Sequence, residues 1–142
     1  MFDKDIQIQT GGMKMADDKR VQEYLDKMRK ERGPYLPEPW IYLAPKDLDF
    51  LEAYNNLYNR ALQDGKELPA KYRELVCIGM LALGGYEDIC FVHMKRALKL
   101  GATKQEILDA VETMIIPGGA PAFGCGLNAL LKVEKEEAAA KK

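Results

Sequence analysis

The 142-residue, 16.0 kDa chain carries 21 basic and 22 acidic side chains for a formal charge of −1, with 47% hydrophobic and 30% charged residues. Such values suit one globular domain with a core of its own and exclude a nucleic-acid role, because affinity for phosphates needs concentrated positive charge and the lysines here are spread over several segments. Cys77, Cys90 and Cys125 are odd in number and form neither a C-x-x-C pair nor a zinc-type cluster, which points to a reducing, cytoplasmic compartment and to no metal centre.

Residues 1–15 have mixed polarity, a Gly11-Gly12 pair and no sustained period, and read as an N-terminal arm without chemistry. A helical domain follows over 16–137, and 138–142 form a solvated tail. From 16 to 32, Asp17 and Asp18 stand where a helix start favours negative charge, and Val21, Tyr24, Leu25 and Met28 recur at helical spacing before Gly33-Pro34. Four prolines make 34–45 an extended strap. A second helix is expected over 46–64, with Leu48, Leu51, Tyr54, Leu57, Tyr58, Ala61 and Leu62 as its apolar stripe.

Leu68-Pro69-Ala70 opens the stretch that organises the rest, Arg73 to Gly101, read as a helix hairpin broken at Gly84-Gly85. Its first arm is apolar nearly all round and is expected to be buried on most sides; its second begins near Glu87-Asp88 and ends at Gly101. Thr103 with Glu106 three residues on has capping-box spacing, and Pro117-Gly118-Gly119-Ala120-Pro121 reads as a turn before a last helix over 122–137. The uncharged run 114–131 is broken by those prolines and glycines, so no membrane span is expected. With no strand-like alternation, the chain reads as all-α with about six helices.

His93 is the only histidine of the chain, and Glu74 lies on an arm so apolar that an inward carboxylate requires a partner. Burial raises a carboxyl pKa and a neighbouring imidazolium lowers it, so the two together form a candidate proton-transfer pair. Cys90, three residues before His93 and therefore on the same helical face, is a candidate nucleophile, with a buried packing role as the alternative. Cys77 and Cys125 read as packing residues, and Arg73, Lys95 and Arg96 as members of a solvated face.

The run R-E-L at 73–75, then His93, then A-L-K-L-G-A-T-K-Q-E-I at 97–107, with H-x7-G-x-T-x-x-E-I as its most specific part, resembles the carboxymuconolactone decarboxylase family, which includes the alkylhydroperoxidase D proteins. The likeness covers about Leu48 to Val133. It implies an all-α fold assembled as a homo-oligomeric trimer or hexamer, with a pocket near subunit contacts and a small-molecule substrate. In the peroxidase branch, Glu74 corresponds to the family's glutamate, but the paired-cysteine positions correspond to Tyr86 and Ile89. The decarboxylase branch is the better likeness and implies cofactor-independent proton transfer by Glu74 and His93 on a small lactone or organic acid. A thiol peroxidase using Cys90 and a noncatalytic oligomeric binding module stand as alternatives.

Overall fold

Local capping chemistry sets most helix starts. The structure, a computed structural model, describes residues 17–33 and 36–141, so the N-terminal arm lies outside the described residues. Seven helices and no strand occur among them. Contacts divide the chain into two units, with the division between Tyr58 and Asn59.

In the first unit, α1 (Asp18–Arg32) starts where the Asp17 side chain accepts a hydrogen bond from Lys19 N, satisfying an orphan donor of the first turn. Gly33, at φ 107°, ends it. The expected face, Val21, Tyr24, Leu25 and Met28, is buried. The strap is not extended throughout: α2 (Glu38–Leu43) forms within it, because Pro39 stands in the first turn, where a missing N–H costs nothing. This is the helix that the count of six lacked. In α3 (Leu48–Leu62), which continues past the division, Asp47 accepts from Phe50 N at the start. Its stripe is narrower than expected: Leu48, Leu51 and Asn55 are buried, whereas Leu57 is 70% exposed. Trp40 and Tyr54 stack at 4.6 Å, and the Arg32 guanidinium lies 3.6 Å over the Tyr58 ring.

In the second unit, Pro69 caps α4 (Ala70–Leu83), and Asp64 accepts a hydrogen bond from Ala70 N at 2.8 Å. Gly84 and Gly85, the latter at φ 74°, turn the chain into α5 (Glu87–Lys99). The capping box at α6 (Lys104–Thr113) is formed in both directions: Glu106 N donates to Thr103 Oγ1 and Thr103 N donates to Glu106 Oε2. α7 (Ile115–Ala140) begins earlier than expected and takes in the proline-glycine stretch, which appears as a kink at Gly119 (φ 62°, ψ −165°) rather than a separate loop. Helix also persists through most of the expected tail.

α4 packs on α5, α6 and α7, and Ile78, Met94, Ile107, Val111 and Val133 fill the space between them. Gly126 lets α7 approach α6 so closely that a Cβ there would sit 2.5 Å from a Val111 methyl. Among the described residues no helix is long and apolar enough to cross a membrane.

Candidate functional site

The glycine turn lays α4 and α5 side by side, and the pair of ionisable side chains meets across them. His93, about two turns into α5, donates from Nδ1 to Glu74 Oε2 at 2.6 Å. The other carboxylate oxygen, Oε1, forms an ion pair at 2.9 Å with Arg96 Nε. Glu74 is fully buried, His93 is 5% exposed, and the Arg96 side chain is 17% exposed. A lone carboxylate at such a depth would be expelled or protonated, so the two cations offset its desolvation. Arg96 is thus not part of a solvated face; it lies one helical turn beyond His93, on the side of α5 that meets Glu74.

Burial by itself would push the imidazole down. The nearby Cys77 side chain and the Glu74 carboxylate act the other way and carry it up to about 9. A pKa raised in this way favours the imidazolium at neutral pH, the form able to donate a proton.

The cysteines fall into two settings. Cys77 is half-buried, one turn along α4 from Glu74. Cys90 is fully buried; its Sγ donates to the Ile78 carbonyl at 3.3 Å. Burial, with Cys125 and Cys77 nearby, pushes the Cys90 thiol up to about 12, which opposes thiolate formation. A carbonyl of the neighbouring helix holds the Cys90 thiol in the core, which matches the buried packing role given as the alternative. Cys125 is half-buried, and burial raises its pKa as well. No three His, Cys, Asp or Glu side chains among the described residues are placed to hold a metal ion.

The remaining candidate cations have structural partners. Arg73 donates to the Arg60 and Gln63 carbonyls at the end of α3, and Lys95 pairs with Glu136. A groove of about 380 Å³ runs between Lys95, Lys99, Glu136 and Glu137, apart from the Glu74–His93 pair. The first arm of the hairpin is not buried on most sides: Tyr72, Val76, Met80 and Leu83 form an apolar stripe 40–61% exposed. Sequence reasoning missed Arg96 as a member of the site; the available signal was its i+3 spacing from His93.

Comparison with known proteins gives the same placement for the whole helical core. Residues 49–132 match the model of the carboxymuconolactone decarboxylase family. Two uncharacterized proteins of Methanocaldococcus jannaschii are 30% identical over 104 residues, covering 72% of this chain and 96% of theirs, and 35% identical over 89 residues, covering 58% and 86%. A crystal structure of a proposed carboxymuconolactone decarboxylase from Burkholderia xenovorans superposes with a TM-score of 0.72 at 23% identity, covering 89% of this chain and 99% of that one. An apo carboxymuconolactone decarboxylase family protein from Legionella pneumophila gives 0.56 at 24% identity, covering 82% and 90%. These two structures support the fold, and the family match reaches from α3 to within α7: this chain belongs to the carboxymuconolactone decarboxylase family.

Proposed function

We propose that the protein is a cofactor-independent enzyme that transfers a proton on a small organic acid or lactone, with His93 as the proton donor and Glu74 as the residue that positions and charges it. The single observation that carries this reading is the 2.6 Å contact of a buried carboxylate with an imidazole whose pKa is carried up to about 9. Arg96, His93 and Glu74 together leave the site with net positive charge, which suits an anionic substrate. For an unsaturated lactone bearing a carboxylate, the bond to the carboxyl carbon breaks and carbon dioxide leaves. The electron pair delocalises towards the lactone carbonyl, and the imidazolium then protonates carbon. A peroxidase centred on Cys90 is the weaker reading, since that thiol is buried and held by Ile78.

The exposed stripe of Tyr72, Val76, Met80 and Leu83 supports assembly as a homo-oligomer, the trimer or hexamer that the family resemblance implies, because apolar surface arranged along one helix gains free energy when covered. Turnover of a carboxylated unsaturated lactone by the purified full chain tests the catalytic reading. His93→Ala should lower kcat by about 10²- to 10⁴-fold, the usual contribution of a positioned acid or base. Turnover indifferent to His93→Ala sinks it. Sedimentation of the same preparation tests the assembly, and a monomer would overturn that part.

A further inference from the structure

Arg96 and His93 share one carboxylate, and they share it unevenly. The His93 ring donates to Glu74 Oε2 at 2.6 Å along a hydrogen bond. Arg96 Nε lies 2.9 Å from Oε1, yet that buried oxygen accepts no hydrogen bond among the described residues, so the guanidinium acts on it through its charge rather than through a directed N–H. A carboxylate beside an imidazole favours the charged ring, and a second cation on the same carboxylate opposes it. From α4 the ring also has Cys77 nearby. On the other two helices packed against α5, ionisable groups pair away from the ring: Glu106 and Lys104 of α6 with Lys71 and Glu137, and Glu136 and Lys132 of α7 with Lys95 and Asp88. Arg96, with its side chain 17% exposed, is the cation that this buried site sets against the imidazolium.

We propose that Arg96 is a positioning residue that sets the acidity of His93: by drawing part of the Glu74 charge to itself, it keeps the imidazolium able to release its proton rather than locked onto the carboxylate. This deepens the proton-transfer reading and rests on it for its purpose, since an acid whose proton is held too tightly donates slowly at neutral pH. The contact reaches one oxygen without a directed bond, so the planar fork of the guanidinium is not what matters, and a lysine ammonium supplies the same charge.

His93 is the only histidine of the chain, so one histidine Cε1–H resonance of the untagged full-length protein reports it without assignment. The test is the NMR titration of that resonance through the neutral and alkaline range in wild type, Arg96→Gln and Arg96→Lys. The midpoint should rise by at least about half a unit in Arg96→Gln, at the low end of what a neighbouring charge does, and move by less than that in Arg96→Lys. A smaller rise, or a fall, in folded Arg96→Gln overturns the proposal. A larger move in Arg96→Lys, or failure of that variant to fold, overturns it too, because the charge alone is then not sufficient; this arm decides even where Arg96→Gln does not fold. A residue that merely packs would shift both midpoints alike or neither. The titration reads no turnover, so its failure leaves the lactone reaction standing, and turnover indifferent to His93→Ala would sink that reaction while leaving the shared carboxylate in place.

Discussion

Asn55 in the first unit and Glu74 in the second are both fully buried polar side chains on helices, yet they are held in different ways. Asn55 donates once, from Nδ2 to Glu31 at 3.1 Å, and its Oδ1 is buried without a hydrogen-bond partner. Glu74 Oε2 is hydrogen-bonded to His93, and Oε1, though it lacks hydrogen-bond geometry like the Asn55 oxygen, lies 2.9 Å from the Arg96 guanidinium, so both carboxylate oxygens face cations from one neighbouring helix. A neutral amide tolerates an unmet acceptor for a cost of about 1–3 kcal/mol, whereas an unpaired buried charge is not tolerated at all and shifts its protonation instead. The difference separates a polar group that the core accommodates from one around which the second unit is built.

The largest effect should come from breaking that second arrangement. Glu74→Ala leaves two cations facing each other in the core and should cost about 3–5 kcal/mol, measured by urea denaturation. A loss below about 1 kcal/mol would mean that His93 and Arg96 find water once the carboxylate is gone, and the site would not be sealed. pH gives a gentler version of the same perturbation. Because the folded pKa of His93, about 9, stands above the unfolded value near 6.5, its contribution to stability is complete below about pH 6.5 and is lost as pH rises through about 9. The loss should approach about 3 kcal/mol at most, and Glu74→Gln should flatten the curve in that window. A stability profile that is flat from pH 6.5 to 9 in the wild-type protein would remove the charged imidazole from the account. Asn55→Leu should change stability by only about 1 kcal/mol or less, since it discards an unmet acceptor together with one hydrogen bond, and exposed Glu31 can turn to water.

How legible each part was depended on the range of the interaction. The start of α6 could be read because Thr103 and Glu106 satisfy each other within four residues. The hairpin could be read because Gly84-Gly85 interrupts two helical patterns. Glu74 and His93 could be paired because a carboxylate on so apolar an arm requires a partner. Arg96 was lost to a sound default: a long cationic side chain usually snorkels to water, so only the neighbouring helix decides otherwise. α2 was hidden because its six residues are too short to show a period and its prolines argue for extension, although Pro39 occupies the one helical turn that accepts it. The setting of Cys90 was not legible either, since a spacing along α5 says nothing of the Ile78 carbonyl on α4.

The smallest expected effect concerns the outward face of α4, and it separates the stability of this chain from that of its assembly. Val76 is 61% exposed and lies outside the hydrophobic core, so Val76→Ser removes little buried surface within the chain. Its unfolding free energy, measured on dilute monomer, should move by no more than about 0.5 kcal/mol. If the stripe is covered by another copy, the same substitution should weaken association far more than it weakens the fold, because Val76 and Met80 stand at the centre of the apolar row between Tyr72 and Leu83. Sedimentation at matched concentrations measures the second quantity independently of the first. An unchanged association constant would place any subunit contact on another face of the molecule and leave the α4 stripe open to solvent.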